Sequence, residues 1–151
     1  MTEPSPLTGS CHCGAIRATF YPSKPLAELQ VRACQCSFCL RHGAKTTSDP
    51  SGRARFEIDG AALSWYRFET RTGTSLICSR CGTFAGGILE DGENVWSFVN
   101  VRGLAIPEFR DRIGEHMHYD GETAEERITR HRTMWTPTEI VWMGADGGGG
   151  R

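Results

Sequence analysis

Long apolar runs are missing from this chain of 151 residues. No stretch approaches the roughly 20 apolar residues that a membrane-spanning helix needs, so a helical anchor is not expected. No export leader is expected either, since residues 1–8 carry an acid and two prolines but no apolar segment. A basic surplus is also lacking. Lys and Arg number 17 against 18 acids, a formal charge of −1, whereas a nucleic-acid module carries positive excess. Apolar residues make up only 38%, and 18 glycines with 7 prolines point to many turns and few long helices. A chain of this length is expected to form one domain that buries about two-thirds of its unfolded surface. With so modest an apolar content, a cross-link would add stability.

Isolated cysteines are lacking too. All seven fall in three clusters: Cys11-His12-Cys13, Cys34-Gln35-Cys36-Ser37-Phe38-Cys39 and Cys78-Ser79-Arg80-Cys81. Cys-x-Cys neighbours make poor disulfides, which need Cα atoms about 4.4–6.8 Å apart and converging Cβ vectors. A metal ion accepts that spacing, because its thiolate ligands sit about 2.3 Å out on a tetrahedron. Without an export leader a reducing cytoplasm is the expected compartment. Clustered cysteines there read as metal ligands, and the odd count agrees.

Taken in order, residues 1–8 read as a disordered lead-in and 147–151 as a flexible tail, with a single domain over 9–146. Ile16, Ala18 and Phe20 alternate with Arg17 and Thr19, the pattern of a half-buried strand. If that extended backbone reaches back through the first cluster, Cys11 and Cys13 share a face and His12 points away. Residues 29–33 read as a strand delivering Cys34, followed by a helical turn or loop after Cys39. Asp49-Pro50-Ser51-Gly52 is turn chemistry. Residues 56–58 and 63–69 suggest a hairpin across Asp59-Gly60. Strands are expected over 75–77, 83–89 and 95–101, and Gly82 after the second cysteine suits a turn with positive φ. Thr123-Ala124-Glu125-Glu126 matches a capping box opening a short surface helix to about His131. Residues 140–143 suit a final strand. The expected fold is mainly β with short helices.

Cys11, Cys13, Cys78 and Cys81 supply four thiolates, enough for one closed tetrahedral zinc site of the structural kind. Cys34, Cys36 and Cys39 then remain for a second zinc with an open fourth position, the pattern of a catalytic metal. Three alternatives stand beside this reading. The first cluster could pair with the second, and His42, at Cys-x-x-His spacing from Cys39, could close the second site. All seven could also be buried free thiols. Binding two zinc ions through seven thiolates would move the formal charge from −1 to about −4.

A three-thiolate zinc is a poor Lewis acid for water but suits an incoming thiol. A free thiol with pKa about 8.5 is only a few per cent ionised at neutral pH, and zinc ligation deprotonates it. A bound thiolate is less nucleophilic, so holding it beside an electrophile must supply the rest. The chemistry expected is thiol addition to a small carbonyl, or its reversal. Arg32, Arg41, Lys45, Arg53 and Arg55 flank the cluster and could bind carboxylates of an acidic thiol, against the plainer reading of solvated surface charges. Trp135, His116, His118 and His131 are possible pocket residues, although packing or surface roles suit each.

The segments Gly9-Ser10-Cys11-His12-Cys13-Gly14-Ala15-Ile16-Arg17, Cys34-Gln35-Cys36-Ser37-Phe38-Cys39 and Cys78-Ser79-Arg80-Cys81-Gly82-Thr83 resemble the glutathione-dependent formaldehyde-activating enzyme family. That family shares its domain with centromere protein V. The match runs from about Gly9 to Val101, with Glu115-His116-Met117 a weaker late correspondence. The resemblance implies a zinc-stapled, Mss4-like β-sheet fold. It implies a structural zinc on Cys11, Cys13, Cys78 and Cys81 and a catalytic zinc on Cys34, Cys36 and Cys39. It also implies joining of formaldehyde with glutathione into S-(hydroxymethyl)glutathione, a carbon–sulfur lyase or synthase reaction. A non-catalytic zinc module that binds a protein or other partner is the competing class, and fold alone does not choose between them.

Overall fold

The computed structural model describes residues 5–68 and 72–144. Its strands in chain order begin with β1 (Leu7–Ser10), β2 (Ile16–Tyr21), β3 (Arg32–Cys34), β4 (Thr46–Thr47), β5 (Arg53–Asp59) and β6 (Leu63–Tyr66). They continue with β7 (Thr74–Cys78), β8 (Phe84–Asp91), β9 (Asn94–Asn100), β10 (Glu115–Met117) and β11 (Thr136–Met143). Two helices, α1 (Ser37–His42) and α2 (Ala124–Met134), complete a mainly β architecture, as the sequence led us to expect. Among the described residues no helix is long and apolar enough to cross a membrane.

The strands form one mixed sheet of two wings. One wing runs β1-β2-β5-β11, and the other runs β9-β4-β3-β10 with β8, β7 and β6 branching from the far edge of β9. β11 joins them. Its first residues, Thr136 and Pro137, pair with β9, and Thr138–Met143 then run parallel to β5. Alternation builds the core of the first wing. Ile16, Ala18 and Phe20 of β2 lie opposite Ile58, Phe56 and Ala54 of β5, and all six side chains are buried.

Several elements depart from expectation. β1 begins at Leu7, inside the stretch read as a lead-in, because Leu7 is buried opposite Phe20. The hairpin across Asp59-Gly60 does not form. Both edges of β5 are already taken, by β2 and β11, so a 3-10 turn (Gly60–Ala62) capped by Asp59 redirects the chain and β6 pairs with β7. Glu69, expected at the end of that strand, lies outside the described residues. β3 starts only at Arg32, and α1 begins before Cys39 rather than after it. The helix α2 does carry a complete capping box, with Thr123 and Glu126 bonding each other's backbone amides, and extends past His131 to Met134.

Phe56 is fully buried at the centre of the first wing. Phe56→Ala should cost about 3–5 kcal/mol of stability, read from urea unfolding. A cost below about 1 kcal/mol would mean that the site collapses without a cavity.

Candidate metal centres

Four cysteines converge from two turns. Between β1 and β2 the chain does not stay extended. Gly14 donates its amide to the Cys11 carbonyl at 3.0 Å, and Cys11 donates to Ile16 at 2.8 Å. The same motif recurs after β7, where Gly82 donates to Cys78 at 2.8 Å and Cys78 to Thr83 at 2.9 Å. Gly14 and Gly82 have φ of 86° and 79°, a left-handed backbone that favours glycine. The shared-face expectation for Cys11 and Cys13 therefore rests on a tight turn, not on a strand. Cys11 and Cys78 are buried, while Cys13 is exposed.

The sulfurs of Cys11, Cys13, Cys78 and Cys81 all lie within 4.8 Å of one another. Cys11 Sγ is 3.8 Å from Cys13 Sγ, which is 3.5 Å from Cys78 Sγ. Those separations match the edges of about 3.8 Å expected for a tetrahedron with bonds of about 2.3 Å. They are far too long for a disulfide at about 2.05 Å. The surroundings suit thiolates. Ile16 donates its amide to Cys11 Sγ at 3.3 Å, and the Thr83 hydroxyl lies 3.2 Å from Cys81 Sγ. Burial pushes the Cys78 thiol up to about 12, while at Cys81 the opposing effect of burial is outweighed by hydrogen bonds from Thr83, and its pKa falls to about 5.

Cys34, Cys36 and Cys39 form a second group within the same 4.8 Å limit. Cys34 ends β3, Cys36 caps α1, and Cys39 lies inside that helix. The capping contact is itself a sulfur one, with Cys39 donating its amide to Cys36 Sγ at 3.4 Å. Hydrogen bonds with Cys34 and then Cys39 pull the Cys36 thiol strongly down, and those with Cys34 and then Cys36 push Cys39 strongly up. Three ionised sulfurs this close repel one another, so a cation is needed to hold them all as thiolates. Both donor sets are compatible with zinc. The structure keeps Cys11 and Cys13 with Cys78 and Cys81, not with the second group.

His42 does not join the second group, and among the described residues no other His, Asp or Glu does. Its ring packs on Phe38 and Phe84, with centroids 4.6 and 5.4 Å away. The second group instead opens on a cleft of ≈ 910 Å³, counting its solvent-filled mouth, which Cys34, Cys36 and Cys39 line together with Arg32, Phe84 and Trp135. None of the other four cysteines borders it.

Of the five basic residues flagged by the sequence, only Arg32 lines this cleft. Arg41 donates to the Ser37 carbonyl, Lys45 to the carbonyls of Phe109, Arg110 and Arg112, Arg53 lies over Tyr21, and Arg55 pairs with Glu139. His116 and His118 are exposed and do not border it. Trp135 and His131 do, and so do Tyr119, Arg127 and Arg130, which sequence reading did not single out. Arg127, Arg130 and His131 are spaced i, i+3 and i+4 on α2, so they share one face. That spacing was the available signal. It was hidden because the inward face of this helix is polar, with His131 its only buried residue.

Thiols must lose protons to bind a metal. Reduced, metal-stripped protein should therefore take up Zn²⁺ with measurable proton release at neutral pH. If calorimetry in buffers of different ionisation enthalpy detects neither uptake nor release, the seven sulfurs are ordinary free thiols.

The family model for glutathione-dependent formaldehyde-activating enzyme matches residues 6–118, a span that includes all seven cysteines and reaches further at both ends than the quoted motifs. A crystal structure of a Rhodobacter sphaeroides protein is similar at 29% identity, with a TM-score of 0.57, covering 73% of this chain and 99% of that one. This chain belongs to the glutathione-dependent formaldehyde-activating enzyme family.

Proposed function

We propose that the protein is a zinc-dependent carbon–sulfur lyase or synthase that joins a glutathione-like thiol to a small aldehyde such as formaldehyde. The observation that carries this reading is the unequal surroundings of the two cysteine groups. Cys34, Cys36 and Cys39 line the cleft, while Cys11, Cys13, Cys78 and Cys81 do not. We assign the first group to a catalytic zinc and the second to a structural one. The competing view, a non-catalytic zinc module, calls for a closed second site, and the packing of His42 against Phe38 and Phe84 gives it no support. Seven cysteines outside any disulfide, which must stay reduced to hold metal, suit a cytoplasmic setting.

Zinc bound by three cysteines would hold an incoming thiol as its thiolate at neutral pH. The protein's own residues do the remaining work. In the forward direction a carbon–sulfur bond forms at the carbonyl carbon, and the proton released by the thiol ends on the carbonyl oxygen. Tyr119 is the phenol that borders the cleft, and burial raises its pKa, with Arg32 opposing. It therefore stays protonated at neutral pH and suits a hydrogen-bond donor to an oxygen that gains charge. The guanidinium of Arg130 covers its ring at 3.6 Å and fixes its position. Phe38, Phe84 and Phe98 shield the sulfur side from water, packed edge-on with Phe84 centroids 4.9 and 6.0 Å from its neighbours.

Elemental analysis of untagged protein is expected to return one zinc for each of the two groups. Cys36→Ser should retain one zinc and a near-native melting curve but lose thiol–aldehyde exchange measured by NMR, whereas Tyr119→Phe should slow it about 100-fold. A fully active Cys36→Ser variant refutes the catalytic assignment. Cys81→Ser should instead unfold or melt far lower, because metal binding contributes about 10–16 kcal/mol in small zinc peptides. An unchanged melting temperature would remove the structural role.

A further inference from the structure

The cleft holds more recognition chemistry than formaldehyde could use. Arg32 is only 6% exposed, yet no described carboxylate pairs with it; its guanidinium donates to the Ser48 hydroxyl. A guanidinium this buried, with a hydroxyl as its hydrogen-bond partner and no carboxylate on it, is costly, and a bound anion would offset that cost. Arg130 sits across the cleft on α2, paired with Glu122 at 3.0 Å. His131, 4% exposed, has a buried Nδ1 with no hydrogen-bond partner, and its ring stacks on Trp135 with centroids 3.6 Å apart. Burial, then Arg130 and Arg127, holds its pKa near 3, so it is a neutral imidazole at neutral pH.

Between this polar end and the cysteines runs a continuous aromatic wall. Phe84 meets Phe98 edge-on at 6.0 Å, and Phe98 meets Trp135 edge-on at 4.9 Å. The strand itself sets the scale. Arg32 and Cys34 are two residues apart on β3 and both line the cleft. Two residues at about 3.3 Å rise place them about 7 Å apart along the strand, on one face. A flat ring with a reacting group at one end and a carboxylate at the other spans such a distance. Asp120, the acid that also borders the cleft, is exposed.

We propose that the cleft recognises a flat apolar body bearing a single carboxylate, carried by the thiol or the aldehyde, with Arg32 and Arg130 taking the anion and Phe84, Phe98 and Trp135 the body. This extends the thiol-addition reading and rests on it for the identity of the reacting groups. The aromatic wall and the cationic end then set substrate choice, with neither touching the new carbon–sulfur bond.

The test separates the two readings by using a ligand that cannot react. Phenylacetate and its neutral analogue phenylacetamide are titrated into the zinc-loaded full chain by calorimetry. Phenylacetate should bind saturably and about 10-fold tighter than the amide. That preference should vanish in Arg32→Gln. Arg130→Gln, on the cleft-facing side of α2, carries the same test if the Arg32 substitution does not fold. Equal binding of acid and amide, or a preference that survives both substitutions, overturns the proposal. Turnover then assigns the source. A faster reaction of 4-formylbenzoate with 2-mercaptoethanol places the anion on the aldehyde, and a faster reaction of benzaldehyde with 3-mercaptopropionate places it on the thiol. If all the pairs react and neither charged pair runs faster than benzaldehyde with 2-mercaptoethanol, the proposal fails while thiol addition stands. If phenylacetate binds as expected and no pair reacts, thiol addition fails and the carboxylate site stands.

Discussion

Thiols packed within a few ångströms cannot all ionise unless a cation sits among them, and that constraint organises the molecule. The cysteines sit at strand ends and in turns between strands, except Cys36 and Cys39, which cap and belong to α1. The four-cysteine group brings the turn before β2, in one wing, against the turn after β7, in the other. Among the described residues strand pairing joins those wings at β11, which meets β9 at two residue pairs before it turns to β5. A metal at the four sulfurs would tie the wings at a second point. Cys11 and Cys78 are themselves buried in the main core, so a cross-link there would reinforce packing that already spans both wings.

The same scaffold brings the second group and its cleft together. β3 carries Arg32 and Cys34 on one face and is held between β4 and β10. On the opposite side α2 runs into β11, the strand that spans the wings, and Trp135 marks the join by donating its amide to His131 at 2.9 Å. A short polar chain connects the two sides. Arg32 donates to Ser48, and Ser48 donates to the Met134 carbonyl at 2.7 Å. The guanidinium is thus fixed from the helix as well as from its own strand, so the cleft has a preformed width.

How much of this could be read from the sequence depends on whether the signal was local. Cysteine spacing is local, and it identified the two groups that the fold brings together. The alternation in β2, the positive φ of Gly82 and the capping box of Thr123 are local too. The failed hairpin after Asp59 shows the limit. Nothing within residues 53–66 reveals that β11, some eighty residues later, occupies the edge of β5 that a hairpin would need. The cleft suffered likewise. Arg41, Lys45, Arg53 and Arg55 lie near the cysteines in sequence but are engaged elsewhere, whereas Arg127 and Arg130 reach the cleft from the far end of the chain. Proximity along the chain misled because a crossing helix supplies the opposite wall.

The placement of those arginines also answers an electrostatic difficulty. A dication held by three thiolates has net charge −1, which repels an anionic thiol or aldehyde. One guanidinium at a separation on the order of 7 Å offsets this by roughly 2 kcal/mol at an effective dielectric of about 20. Arg32 lies in the buried interior, where screening by salt is weak. The charge that makes a three-thiolate centre a poor activator of water therefore need not exclude acidic substrates. On the proposed reading it would make the cationic end of the cleft a condition for admitting them, and would tie substrate choice to residues that never meet the reacting atoms.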